Sequence, residues 1–467
     1  MLARLFGEMA EWLKAVASKA IIPCFVESGV RIPLSPIVMN SLNLILLRIN
    51  WDFDMSKKKI FTLILLLFST SYTFSMVYDN RFFPLYKRPY SKKIGSASRF
   101  AADFFATSAN EAIGRHEDII PIPRIFGSYR QDLLGKALVL LGCENPLRDE
   151  LQTIKLPWII EGKIKSQGVS FLWDQAIGKY FYIGASWFVM SVHSFQEFCF
   201  DRKEAYGGIP SEREVADIYD ARFAMHDLIG IKEQNAHESG ISDIDFYVRV
   251  GNIWEYLFRF RRIDAGFSAG ALLPAGKMRN IDIPASVPFG GNGHYGMYIA
   301  GDAEFELKED LKLGFLARFS KRFSRTCTKR LPIAKEHLLY GALKAPVKVS
   351  PGFNVVFAPY FSWEYLRKGL GVRVGYTLSY HDEDCWKDCR SAQEKQALPA
   401  EIERIVPVTK WAQDYVNLYA FYDFGNVREN SSMEPIAILS WDVPAFLFTG
   451  RRVPKMHRIS LGVEVNF

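Results

Sequence analysis

The clearest pattern along the chain is an alternation of apolar and polar residues, which recurs in long stretches from about residue 154 onward. In LGVRVGYTLSYH, from Leu370 to His381, every second residue is Leu, Val or Tyr, and most of the intervening residues are small or polar. Successive side chains of an extended strand point to opposite faces, so this pattern predicts a strand with one apolar face. Its 12 residues exceed the five or six typical of soluble proteins and suit a membrane-crossing strand.

Such strands occur in pairs. The segments 244–260 and 263–273, 295–307 and 311–323, and 353–366 and 370–381 alternate in this way and are joined by tight turns. The connections 274–292, 324–350 and 382–410 are long. Short turns at one rim and long loops at the other are typical of outer-membrane barrels, whose short turns face the periplasm.

The apolar faces also carry aromatic residues close to the tight turns. Trp254, Tyr256, Trp363 and Tyr365 occupy the positions of an interfacial girdle. A soluble β-sandwich explains neither this placement nor the strand length. Backbone groups in lipid find no water, so such a sheet must close on itself. We predict an all-β fold, a transmembrane antiparallel β-barrel of about 12 strands (10 to 14) over residues 154–467.

The residues before the predicted barrel lack this alternating pattern. Residues 76–153 are rich in proline and contain two segments with helical spacing, 97–113 and 131–142. We interpret 76–153 as a partly helical amino-terminal segment, either a plug inside the barrel or a small periplasmic domain.

The first 75 residues contain an export signal at an unusual place. Residues 55–75, MSKKKIFTLILLLFSTSYTFS, have the basic start, short apolar run and small-residue end of a signal peptide. The 54 residues before it resemble the translation of a transfer-RNA gene, because GVRIP at 29–33 can be encoded by its conserved T-arm pattern. We expect residues 1–54 to be a mis-annotated leader; the alternative is a genuine cytoplasmic extension.

Composition narrows the class further. Apolar residues make up 49% and aromatic residues 14% of the chain, and the mean hydropathy is near zero. These values exclude a disordered chain and a bundle of membrane helices. The net charge of +7 comes without a long basic tract or a nucleic-acid-binding module, so no nucleic-acid partner is expected. Cys385 and Cys389 form either a small loop disulfide or two free thiols, and no metal or cofactor is predicted.

The chain ends in ISLGVEVNF, one more alternating strand whose last residue is Phe467. Together with the signal peptide and the paired strands, this ending resembles bacterial outer-membrane β-barrel proteins, without indicating a subfamily. The resemblance implies location in the outer membrane, contact with its lipid, and recognition of Phe467 as an assembly signal by the barrel-assembly machinery.

The strand parity also predicts which charged residues face the lumen. Both signs occur, mostly near the tight turns, and Lys312 shares this face. The predicted lumen-lining residues are Arg249, Glu255, Arg259, Asp264, Asp302, Glu304, Glu306, Arg318, Glu364, Arg373 and Glu464. We predict a porin-like channel for passive passage of small polar solutes. One alternative is a plugged or closed structural or surface-display barrel without transport. An outer-membrane hydrolase has less support, and we therefore expect no enzymatic activity.

Overall fold

The computed structural model describes residues 80–83, 98–202, 212–231, 233–256, 258, 260–424 and 434–467. These residues belong to the compact unit Tyr72–Phe467. The predicted leader and signal peptide lie outside the described residues.

Twelve antiparallel strands form one closed sheet, which confirms the predicted fold and strand number. Each strand pairs with the next along the chain, and the last pairs with the first. The barrel strands are β1 Ser98–Ala109, β2 Pro157–Ile177, β3 Phe181–Phe200, β4 Ile244–Glu255, β5 Arg262–Leu273, β6 Gly296–Lys308, β7 Leu311–Arg322, β8 Phe353–Arg367, β9 Leu370–His381, β10 Trp411–Asp423, β11 Glu434–Pro444 and β12 His457–Asn466.

The alternation in sequence becomes an alternation between lipid and lumen. On β12, Ile459, Leu461 and Val463 are exposed on the outer surface, whereas Ser460 and Glu464 are buried inside. In a closed sheet every backbone group within a bilayer has a hydrogen-bond partner, and an apolar outer surface suits contact with lipid. The protein is therefore an outer-membrane β-barrel.

The barrel closes between β1 and β12. The amide of Phe467 donates to the Ser98 carbonyl at 3.0 Å, and the Ser98 amide donates to the Phe467 carbonyl at 2.9 Å. The Phe467 side chain is exposed. Its role as an assembly signal stays a prediction.

The structure corrects the boundary predicted at residue 154. The helix predicted over 97–113 is wrong, because Ser98–Ala109 is the first barrel strand. Phe100 and Phe104 face lipid, but Ala101 and Phe105 face the interior and are also apolar. Because both faces of this strand carry apolar residues, the sequence does not alternate with a period of two, and its apolar spacing resembles that of a helix. The barrel begins at Ser98 rather than at residue 154.

The connections obey the predicted asymmetry. Between successive strands, short turns at 178–180, 309–310 and 368–369 lie at one end of the barrel, where β4 is also followed by β5 and β10 by β11; we name this end the turn rim. At the opposite end, the loop rim, lie 110–156, 201–243, 274–295, 323–352, 382–410 and 445–456. By the usual orientation of such barrels, the loop rim faces outward from the cell.

The long loops carry their own secondary structure and form a cap. Its α-helices are α1 Gln131–Leu140, α2 Asp149–Gln152, α3 Glu212–Leu228, α4 Ala392–Ala397 and α5 Ile402–Thr409, and its 3-10 helices are Ile122–Phe126 and Leu338–Tyr340. Its short strands are Glu111–Ile113, Ile119–Pro121, Tyr129–Arg130, Ala236–Ile241, Arg325–Leu331, Leu343–Ser350, Cys385–Asp388 and Val453–Pro454.

The second predicted helix, 131–142, is present as α1, but it lies in the cap. It belongs to the β1–β2 connection at the loop rim, and its Leu134 and Leu138 pack with Ile218 and Met225 of α3 in a separate apolar core. This helix therefore lies in the cap, and the plug or periplasmic role predicted for residues 76–153 as a whole stays a prediction. Among the described residues, no helix is both long and apolar enough to cross a bilayer.

Of the two alternatives for Cys385 and Cys389, the structure has the two free thiols, and both side chains are exposed. Cys385 begins the strand Cys385–Asp388 and Cys389 follows its end. Four residues of extended chain span about 13 Å, whereas a disulfide requires Cα atoms within about 7 Å. The local backbone therefore prevents the bond.

Candidate functional site: the lumen and its outer cavity

Arg249 on β4 is the centre of one buried charge cluster in the lumen. Its Nη2 atom lies 2.9 Å from an oxygen of Asp264 on β5 and 2.6 Å from an oxygen of Asp302 on β6. The guanidinium lies over two glycines of the same wall, and a Cβ atom at Gly251 or Gly266 would approach it to 2.4 or 2.5 Å. The absence of side chains at these positions lets the arginine lie flat across three strands.

A second cluster lies closer to the turn rim. Arg262 contacts Glu304 at 3.2 Å and Glu306 at 3.4 Å. Lys312 contacts Glu364 at 2.8 Å, and it also lies 3.9 Å from Glu304. This group of two cations and three carboxylates is held on β5 to β8.

Aromatic residues complete this wall. The Tyr360 hydroxyl donates to Glu304 at 2.7 Å, and the Arg373 guanidinium lies 4.7 Å from the centre of the Tyr360 ring. Nearer the loop rim, Arg318 contacts Asp245 at 3.2 Å. Cations on ring faces add to the ion pairs, because the face of an aromatic ring is electron-rich.

A third cluster bridges the seam of the barrel. Arg99 on β1 donates from Nε to Asp174 on β2 at 2.9 Å and lies 3.8 Å from Glu464 on β12. Arg458 on β12 and Asp442 on β11 form a further buried pair at the other end of these strands, toward the loop rim.

Most predicted lumen residues therefore lie inside the barrel, where the structure brings them into ion pairs. Glu255 is opposite Arg262 in the strand register but is exposed at the turn rim. Arg259 lies outside the described residues. The sequence did not reveal Arg99 and Asp174 as lumen residues. The segment of β1 was predicted to be a helix, and the inward-facing residues of β2 were not assigned.

The charge clusters follow the wall and do not cross the lumen. Twelve strands about 4.8 Å apart and tilted by about 40° enclose a barrel about 24 Å across between backbones. All the described ion pairs between barrel strands join strands at most three positions apart; Arg318 on β7 and Asp245 on β4 are the most distant. Among the described residues, these ion pairs therefore run along the barrel wall rather than across its axis.

The loop-rim half is different, because an apolar cluster fills it. Wall residues from several sides of the barrel meet Phe289, Val287 and Phe83. The Phe83 and Phe289 rings pack edge to face with their centres 6.5 Å apart. We name this cluster the apolar plug; its wall members are Phe105, Ile164, Phe188, Met190, Val192, Leu272, Val356 and Tyr415.

Asp243 anchors the loop 274–295, which carries Phe289, into the barrel. Its carboxylate accepts hydrogen bonds from the amides of Gly276 at 3.0 Å and Gly291 at 2.8 Å, and Arg322 lies 3.2 Å away. Burial raises the pKa of Asp243, while Arg322 and the two amides oppose that shift. Four buried groups thus fix this loop against the wall.

Above the plug lies a cavity of about 240 Å³ at the loop rim. Its walls combine cationic side chains, among them Arg81, Arg279 and Lys329, with Phe126 and Trp411. Nothing in the alternating pattern predicts it, because its residues come from the amino-terminal segment, the loops and the ends of barrel strands.

His237 and Ser239 are a histidine and a serine close in sequence, as a hydrolase could use, and both lie on the strand Ala236–Ile241. His237 Nδ1 lies 2.9 Å from His193 Nδ1, and the Ser239 hydroxyl donates to Ser191 at 3.0 Å. Across the described ranges, no hydrogen bond joins either histidine to either serine, and no group of three or more His, Cys, Asp or Glu side chains could hold a metal ion.

Comparison with known proteins gives structural neighbours but no family. No family model matches the chain, and no curated protein matches it. An outer membrane channel from Pseudomonas putida F1 has 8% identity and a TM-score of 0.43, covering 82% of this chain and 100% of that one. A mutant of the TodX monoaromatic hydrocarbon channel has 9% identity, a TM-score of 0.31 and coverage of 80% and 91%. The translocator domain of the autotransporter NalP from Neisseria meningitidis has 8% identity, a TM-score of 0.34 and coverage of 79% and 88%.

Proposed function

We propose that the protein is an outer-membrane channel for the passive passage of small polar solutes, and that the structure is its closed state. The observation that carries the proposal is the division of the lumen into two halves. Toward the turn rim, buried charges are paired along the wall; toward the loop rim, the apolar plug occupies the interior. A passage lined by polar residues, closed at one end by a cluster that can move aside, is the arrangement of a gated pore.

The paired charges also fit the passage of polar solutes. A charge that is already neutralised by its neighbour does not hold a solute tightly, and conduction requires binding weak enough for release. Both signs lie on one wall, so a polar solute would meet a transverse field rather than a single strong site. We assign lumen-lining roles to Arg249, Asp264, Asp302 and Glu304 on this basis.

The plug supports a second candidate, a closed structural barrel without transport. Phe289 is fully buried and Asp243 accepts hydrogen bonds from two amides of its loop, so the obstruction is well packed. If it never opens, the lumen charges would serve only to brace the wall.

Planar-bilayer conductance of the wild-type protein and of Phe289→Ala separates the two candidates. Removing the buried ring leaves a void in the plug, so we expect openings that are several times more frequent than in the wild type. Phe319→Ala is the matched control, because Phe319 is exposed on the lipid face and should leave the conductance unchanged. Absence of conductance in both the wild type and Phe289→Ala, across a range of voltages, would refute the channel and favour the structural barrel.

A further inference from the structure

The cavity at the loop rim has an excess of positive charge. Five of its lining side chains are cationic at neutral pH and Asp384 is its one carboxylate; the cations are Arg81, Arg279, Arg322, Lys329 and Arg330. Arg322 and Arg330 have carboxylate partners behind the cavity wall, Asp243 and Asp282. Arg81, Arg279 and Lys329 therefore decide the charge that a ligand would meet.

These three cations have no carboxylate partner within ion-pair distance among the described residues. Arg81 donates to the carbonyl of Val408 at 3.2 Å, and Arg279 donates to the carbonyl of Pro284 at 3.0 Å. Nε of Arg279 is buried and has no hydrogen-bond partner in the described part of the chain. A buried guanidinium nitrogen without an acceptor is costly, so a bound acceptor would remove that cost.

The electrostatics of the three groups agree with this geometry. Burial lowers the pKa of Arg81 and of Arg279; Asp384 and Tyr340 oppose the shift, neighbouring arginines add to it, and the net pKa of each is about 10. Burial also lowers the pKa of Lys329. Arg81 and Arg279 keep their charge at neutral pH, but in surroundings that disfavour it. An anion would relieve that repulsion.

The remaining walls are apolar and aromatic. The guanidinium carbons of Arg81 and Arg279 lie 5.6 Å and 5.8 Å from the centre of the Phe126 ring. Trp386 and Trp411 also line the cavity. The volume of about 240 Å³ lies just below the range of about 300–1,000 Å³ that holds drug-sized ligands, so a small molecule fits and a polymer does not.

We propose that this cavity binds a small organic anion, a carboxylate on an aromatic or short aliphatic body, with the carboxylate on Arg279, Lys329 and Arg81 and the apolar body against Phe126 and Trp411. The inference deepens the proposed channel function, on which it rests, by naming the solute class that the outer mouth would collect.

The test is calorimetric titration of the detergent-purified protein with sodium benzoate. We expect binding by the wild type, and about tenfold weaker binding by Arg279→Gln and by Lys329→Gln, because a hydrogen bond to a charged group contributes on the order of one decade of affinity or more. Arg451→Gln is the matched control, since Arg451 is an exposed cation outside the cavity and its loss should not change the affinity. Heat-modifiable migration on gels verifies that each variant is folded.

Two further ligands test the chemistry of the site. Benzyl alcohol has the same ring without the charge and should bind at least tenfold more weakly than benzoate; inorganic sulfate has the charge without the ring and should also bind more weakly. Equal affinities for benzoate and either ligand, or unchanged benzoate affinity in both variants, would overturn the proposal. Binding is measured without a membrane potential, so conductance without benzoate binding would sink this inference alone, and binding without conductance would sink the channel alone.

Discussion

Mild acid should loosen the cap while leaving the barrel intact. Three histidines are buried in the loops outside the barrel strands: His226 on α3, His294 before β6 and His337 before a 3-10 helix. Burial lowers the pKa of His226 to about 3 and the pKa of His294 and His337 to about 4. Each histidine is therefore neutral in the folded cap at pH 7.

The sign and size of the effect follow from proton linkage. An unfolded histidine has a pKa of about 6.5, so below that pH the unfolded cap binds more protons than the folded cap and its stability falls. At pH 5.5 each histidine contributes a loss of about 1.4 kcal/mol, and the three together about 4 kcal/mol. This is a large fraction of the stability of a typical domain, about 5–15 kcal/mol.

The contacts of His337 show why protonation is unfavourable there. Its Nδ1 atom accepts a hydrogen bond from the amide of Leu339 at 3.2 Å, and its Nε2 atom lies 3.2 Å from the Pro123 carbonyl. A proton on Nδ1 would turn this acceptor into a donor, which would then face the amide N–H of Leu339. Burial raises the pKa of Asp243 and Glu336, and protonation of these carboxyl groups would stabilise the cap as pH falls. Because these two carboxyl groups oppose the histidines, the loss of about 4 kcal/mol at pH 5.5 is an upper limit.

Hydrogen–deuterium exchange at pH 7.5 and pH 5.5, corrected for intrinsic exchange rates, measures the effect. We expect lower protection in peptides covering 212–231 and 331–343 at pH 5.5, and equal protection in β4 to β9. His337→Gln should remove about a third of the pH response, whereas the exposed His116→Gln should remove none. Equal cap protection at the two pH values would refute the reasoning.

The remaining predictions concern the lumen and the cap surface. Gly266→Ala should displace Arg249 from its carboxylates and lower the urea midpoint of the detergent-folded barrel, with a loss of roughly 1–3 kcal/mol, because buried polar groups lose partners. Gly301→Ala, whose new methyl group would meet nothing closer than the Gly266 carbonyl oxygen at 4.0 Å, should leave the midpoint unchanged. A similar loss in both variants would argue against the role of Arg249. Cys385 and Cys389 should react with a bulky maleimide equally well with and without prior reduction, and labelling only after reduction would show that the two thiols form a disulfide.

The barrel could be predicted from sequence because lipid and lumen impose opposite demands on alternate residues. That contrast is strong on β9 and β12, where small and polar residues face inward. It fails on β1, where Phe105 enters the apolar plug and makes the inner face as apolar as the outer one. The strand was missed at the place where the lumen itself is apolar.

The partners of the lumen charges could not be predicted in the same way. Parity assigns Arg249 and Asp302 to the lumen, but their contact joins residues 53 positions apart and depends on the register of three strands. The cap is less predictable still. Its residues follow no common period, because each loop folds against other loops rather than against lipid.

The amino-terminal segment 80–83 connects the two features that govern the loop rim. Asn80 donates to the Pro288 carbonyl at 2.8 Å, next to Phe289, and Phe83 packs on the Phe289 ring itself. Two residues before Phe83, the Arg81 side chain lines the cationic cavity and contacts Val408. Residues 80–82 thus line the cavity, and Phe83, the next residue, belongs to the apolar plug.

This shared segment makes the two proposals physically coupled. An anion that draws the Arg81 guanidinium away from its backbone carbonyl partners acts on the same short stretch of chain that holds Phe83 in the plug. A ligand can shift an equilibrium between closed and open plugs only through a difference in its affinity for the two. Benzoate should therefore change the opening frequency of the wild-type channel, in whichever direction Arg81 is better placed for it, and Arg279→Gln should reduce that change together with the affinity.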